Sequence, residues 1–159
     1  MPVYEIRKYG DPILRRKSQR LERIGPQEQK IFSIMAETMY KARGIGLAAP
    51  QIGIERQMIV VDIGNRLIKL ANPLILAKEG ESFLEEGCLS VPQVTVGIKR
   101  AKKVWVKGWD EREKEIEMEA EDLLARVILH EVDHLQGILI VDYFSPRDKE
   151  NFKKELRKR

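Results

Sequence analysis

No stretch between residues 57 and 120 carries a helical stripe, and this most restricts the folds open to the chain. MIVVDI and LIKLANPLI read as buried strands. VTVGI, VWVKGW and EIEMEA alternate or gather β-branched and aromatic residues, as half-buried strands do. Gly64-Asn65, Gly80 and Gly108 separate the pieces as turn residues. A wound parallel sheet needs a long crossover, usually a helix, between successive strands, and none alternates here. The strands are therefore expected in short antiparallel or mixed sheets.

Helices flank this block. In PQEQKIFSIMAETMYKAR, Pro26 suits a first turn, and Ile31, Ile34, Met35, Thr38, Met39 and Ala42 form one apolar stripe. Gly44 is expected to close that helix as a left-handed cap. A second helix is expected over residues 121–136, with acids in its first turn and Gly137 just beyond its end. ILIVDYF is expected to return as a strand. Ser145 and Pro146 then cap and open a last helix, which docks through Phe152 and Leu156. The fold class is α+β: short antiparallel or mixed sheets packed around a central helix, with an N-terminal and a C-terminal helix. The 159 residues fit one domain, 1–159.

Composition narrows the functional classes. With 34% charged and 43% apolar residues the chain reads as soluble and globular, and no apolar run is long enough to cross a bilayer. MPVYEIRKYG lacks an apolar signal core, so a cytoplasmic location is expected. One cysteine, Cys88, excludes an internal disulfide. A net charge of +4 is too modest for a nucleic-acid-binding domain, and DNA is not an expected partner. The tail KKELRKR reads as a solvated helix end or as a contact with RNA or another anionic surface.

The chemistry concentrates in VILHEVDHLQG. His130 and His134 are the only histidines in the chain. Four residues apart on a helix, they lie about 40° apart around its axis and can reach one metal ion. Leu123 and Val127 share their stripe. Glu131 sits beside that face, suited to work on a water at the metal rather than to ligate. A catalytic site usually has three protein ligands and an open position, so a third must come from elsewhere. Cys88, in a turn-like setting after two acids, is the first candidate and Asp133 the rival. Asp133 faces away on the helix and better fits an ion pair with a basic residue of the sheet. A Cys-His-His set with an open position makes water nucleophilic near neutral pH, with Glu131 moving the proton. Hydrolysis of a carbonyl derivative is the reaction class that follows.

The loop GIGLAAPQIG admits two readings. It can be a helix cap and a tight apolar loop. Alternatively, Gly44 and Gly46 let backbone approach a ligand while Gln51 and the Leu89 N–H donate to a developing oxyanion.

Together and in this order, GIGLAAPQ, EEGCLS and HEVDHLQG resemble the three signature motifs of the peptide deformylases. The resemblance implies removal of the formyl group from the N-terminal formylmethionine of new polypeptides, with release of formate. It implies metal binding by Cys88, His130 and His134, acid–base work by Glu131, and a grip on the formyl oxygen by Gln51 and the Leu89 N–H. It also implies backbone pairing of the peptide beside Ile45 and Gly46, and a methionine pocket around Ile45, Leu123 and Val127. Arg126 interrupts the apolar character expected of that pocket's rim. The implied cofactor is one divalent ion, Fe2+ in the cell, with Zn2+ or Ni2+ suited to the same ligands. A ribosome contact through the basic C-terminal helix is the further partner implied. Two other readings compete: a metallopeptidase cutting within chains, and a non-enzymatic module with a structural metal and an RNA-binding tail.

Overall fold

The computed structural model describes residues 3–158. Helix α1 spans Pro26–Lys41, α2 Asp122–Leu135 and α3 Pro146–Arg157. The strands are β1 (Gly46–Ala48), β2 (Met58–Val61), β3 (Ile68–Glu79), β4 (Ser82–Cys88), β5 (Val91–Arg100), β6 (Lys103–Trp109) and β7 (Glu115–Glu121). A five-stranded sheet runs β1-β2-β3-β6-β7, and β4-β5 form a separate two-stranded sheet. Every pairing between these strands is antiparallel, as the lack of crossover helices requires.

The run Met58-Ile59-Val60-Val61 is wholly buried because it has a helix on each face. Ile59 and Val61 pack with Ala125, Ile128, Leu129 and Leu135 of α2. Met58 and Val60 pack with Phe32, Met35 and Met39 of α1. Each such large apolar side chain stabilises the fold by about 1.5–3 kcal/mol through burial. Phe32 is fully buried while Ile31, where the apolar stripe starts, is only half-buried, so the contact face of α1 is rotated toward Phe32. The helix α2 thus lies against the large sheet, with the hairpin β4-β5 beyond its other flank.

Three local expectations are corrected. The left-handed residue after α1 is Arg43, at φ 59°, not Gly44. Gly44 is needed for space: a Cβ there would stand 2.8 Å from Leu89 Cδ1. Gly108 is not a turn but lies inside β6, where a Cβ would meet the Ala71 carbonyl at 2.7 Å. Residues 138–144 do not form a strand. A 3-10 turn covers Ile140–Tyr143, held by the Asp142 carboxylate accepting from Leu139 N at 3.0 Å and pairing with Arg15 at 2.6 Å. Ser145 caps α3 as expected, accepting from Asp148 N, and Phe152 docks edge-on to Tyr9 with ring centres 5.2 Å apart.

Candidate active site

The loop after α1 turns straight into β1, an edge strand whose ladder partner is β2. Next comes a 3-10 turn, Ala49–Ile52, which brings Gln51 back beside β1. Gln51 is buried; its Oε1 accepts from Ala48 N at 2.9 Å. Its Nε2 donates to Ser90 Oγ at 3.1 Å and lies 3.7 Å from Cys88 Sγ. Cys88 ends β4, and Leu89 and Ser90 make the turn into β5.

On α2, His130 and His134 project from one face as their spacing requires, with ring centres 5.2 Å apart. One ligand atom from each of Cys88, His130 and His134 lies within 4.8 Å of the others. Cys88 Sγ is 3.3 Å from His134 Nε2. His130 Nδ1 is held by Glu86 Oε1 at 3.0 Å, which leaves its Nε2 for a ligand. A carboxylate behind an imidazole in this way fixes the ring and raises its basicity. Asp133, the rival ligand, is turned away to Arg100 of β5 at 2.9 Å and to Tyr143 at 2.7 Å.

Electrostatics suit a cation. Burial holds His134 well below the ordinary histidine value, so its ring is neutral and able to ligate. Burial also works against protonation of His130, but Glu131, Cys88 and Glu86 outweigh it and draw its pKa well upward. A metal ion would take the place of that proton. A thiolate and two imidazoles are a donor set for a borderline divalent ion, so the residues present fit one. Burial pushes the Glu131 carboxyl up to about 7, although His130 and Arg100 pull it down. Its Oε1 is buried with no hydrogen-bond partner among the described residues. A carboxyl so tuned can both accept and return a proton near neutral pH.

A cavity of ≈ 490 Å³ opens over these groups. Gly44, Ile45, Gly46, Gln51, Cys88, Leu89, Leu123, Val127, His130 and Glu131 all border it. His134 is the one sequence-predicted site residue that does not, being buried behind the others. Leu123 is 44% exposed, so it belongs to the cavity mouth rather than to a buried stripe. Gly46 lies against Glu131: a Cβ would stand 2.5 Å from Glu131 Oε2 and 2.7 Å from Val127 Cγ1.

Sequence reasoning missed the charged group behind the histidine. Glu86 is buried and receives Arg100 Nε at 2.6 Å, Arg100 Nη2 at 2.9 Å and Arg126 Nη1 at 2.6 Å. Burial alone would raise its pKa, but His130 and Arg100 hold it at about 2. The strand period could have found Arg100 but carries no signal for Glu86. Val96, Ile98 and Arg100 share the buried face of β5, and Glu86 is the one buried residue among its neighbours in β4.

The likenesses to known proteins agree with this geometry. Residues 3–150 match the polypeptide deformylase family. The peptide deformylase of Thermodesulfovibrio yellowstonii is 49% identical, over 99% of this chain and 98% of its own length. The crystal structure of the peptide deformylase from Thermotoga maritima is 42% identical with a TM-score of 0.89, covering 92% of this chain and 100% of that one. The Ehrlichia chaffeensis peptide deformylase, solved in complex with actinonin, is 30% identical with a TM-score of 0.93, over 99% of this chain and 98% of its own. Matches of this extent, to chains of nearly equal length, mean that the protein belongs to the peptide deformylases, metal-dependent enzymes that remove the N-formyl group from new polypeptides.

Proposed function

We propose that residues 1–159 form a single catalytic domain that hydrolyses the formyl amide of an N-formylmethionyl peptide, with Cys88, His130 and His134 holding the metal. The observation that carries this is the convergence of those three donors, at the border of one cavity, beside a buried Glu131 whose Oε1 has no hydrogen-bond partner among the described residues. A divalent ion held there supplies a Lewis acid that makes water a nucleophile at neutral pH.

The chain's own residues do the rest. Glu131 takes a proton from the attacking water and returns it to the amide nitrogen as the C–N bond breaks, giving formate and a free N-terminus. Gln51 and the Leu89 N–H donate to the formyl oxygen as it gains charge. The long 3.7 Å approach of Gln51 Nε2 to Cys88 Sγ supports this, because that N–H is the less committed of the two. β1 pairs with β2 along one side, so its other side suits an extended peptide alongside Gly44, Ile45 and Gly46. Ile45, Leu123 and Val127 provide the apolar surface for a methionine side chain. The Ehrlichia relative is solved in complex with actinonin, which supports ligand binding by a chain of this fold.

Fe2+ is the proposed ion in the cell, with Zn2+ or Ni2+ accepted by the same donors. A cytoplasmic location follows from the substrate, and no helix among the described residues is long and apolar enough to cross a membrane. The exposed Lys153, Lys154, Arg157 and Lys158 on and just after α3 support a contact with ribosomal RNA. The test of the activity is formate release from formyl-Met-Ala-Ser set against the same peptide carrying an acetyl group. Release from the first alone is expected. Equal cleavage of both, or cleavage of an internal peptide bond, would overturn the assignment.

A further inference from the structure

The hairpin β4-β5 carries Cys88 but is not hydrogen-bonded into the sheet against which α2 packs. For Cys88 to share an ion with His130 and His134, something must fix the hairpin relative to α2. Apolar packing does this only indirectly, through the turn that follows α2. Val91, Val96 and Ile98 of the hairpin cluster with Leu14, Leu139, Ile140 and Phe152, whereas the core residues of α2 cluster with the large sheet. The direct ties between hairpin and helix are polar.

Arg126 is the chief of them. It leaves α2 one turn before His130 and is only 5% exposed. Its Nη1 donates to Glu86 Oε2 at 2.6 Å and to the Ile98 carbonyl at 3.0 Å; its Nη2 donates to the Ser82 carbonyl at 2.6 Å. One side chain thus grips β4 at two points and β5 at a third. Glu86, two residues before Cys88, closes the circuit by bonding His130. Arg100 ties the hairpin back to Asp133 of α2. Arg100 and Arg126 balance Glu86 and Asp133 in charge, so the cluster can stay ionised while buried.

We propose that Arg126 is a positioning residue that latches the hairpin onto α2 and so sets where Cys88 stands relative to the two histidines, a role that rests on the metal-site reading above. Its planar fork makes the three bonds at once. A lysine offers a point charge without that geometry, and a leucine leaves Glu86 short of a donor and two carbonyls unpaired.

The test uses the full chain with Co2+ as probe, in the wild type, Arg126→Leu and Arg126→Lys. Co2+ affinity is read by competition with a chromophoric chelator, the sulfur-to-cobalt absorption is read per bound ion, and urea unfolding is followed on the metal-free proteins. Arg126→Leu is expected to lose affinity on the order of 10–100-fold and to show a weakened sulfur band. Arg126→Lys should fall between, and it carries both readouts if Arg126→Leu does not fold. Wild-type affinity and a full sulfur band in the folded variants, with only the unfolding midpoint lowered, would overturn the latch and leave Arg126 a merely structural residue. A wild type that binds Co2+ without any sulfur band would instead overturn the metal-site reading, and the latch with it.

Discussion

Gly46 is the position where a single methyl group tests the active-site geometry most sharply. Its φ is not positive, so alanine suits the backbone and only side-chain space is at issue. The added Cβ would stand 2.5 Å from Glu131 Oε2 and 2.7 Å from Val127 Cγ1, where ordinary contact begins near 3.4 Å. The carboxylate must therefore withdraw by about 1 Å, the scale of misplacement that costs about 10²-fold in rate. Val127 is β-branched and held in α2, so it yields less easily than the carboxylate. Gly46→Ala should lower turnover about 10²-fold, equivalent to ~2.7 kcal/mol of transition-state stabilisation. It should also lower folding stability by about 1–3 kcal/mol through overpacking. Steady-state formate release gives the first quantity and urea unfolding of the same preparation the second. Wild-type turnover in a folded Gly46→Ala protein would refute the placement of Glu131 against β1.

Other perturbations have equally definite outcomes. Gln51→Ala should reduce turnover by on the order of 10²-fold or more, read as kcat for formate release, because it removes an oxyanion donor. Phe152→Ala should lower stability by about 3 kcal/mol in urea unfolding, since it strips α3 of its buried anchor against Tyr9 and Phe144. Burial alone would raise the pKa of Asp142, but Arg15 and the Leu139 N–H outweigh it and hold the carboxyl below its usual 3.8. Its contribution to stability is therefore present above that value and lost as pH falls through the lowered folded value, so Asp142→Asn should flatten the acid limb of a stability–pH curve. Stripping the metal with a chelator should abolish formate release, and adding back a divalent ion should restore it.

Much of the fold was legible because the strand residues obey a simple period. β2, β3, β5, β6 and β7 each show an apolar run or an alternation. β4 stayed hidden because its one buried residue, Glu86, is charged, and two arginines and a histidine compensate that charge from elsewhere in the chain. β1 is three residues long and lies within a glycine-rich segment that reads as loop. In ILIVDYF the β-branched residues suggested a strand, but Asp142 bonding back to Leu139 N closes a turn instead. The convergence of Cys88, His130 and His134 was legible from scarcity: the chain has only two histidines and one cysteine to bring together. The arginine latch was not, because it depends on which strand faces which helix.

The central claim is that one thiolate and two imidazoles hold a metal whose remaining coordination is open to solvent. X-ray absorption on the zinc-loaded protein tests it most directly. The expected result is one sulfur at about 2.3 Å and two imidazole nitrogens at about 2.0–2.1 Å, completed by a light atom that exchanges with solvent. A first shell without sulfur, or one closed by a fourth side chain, would contradict it.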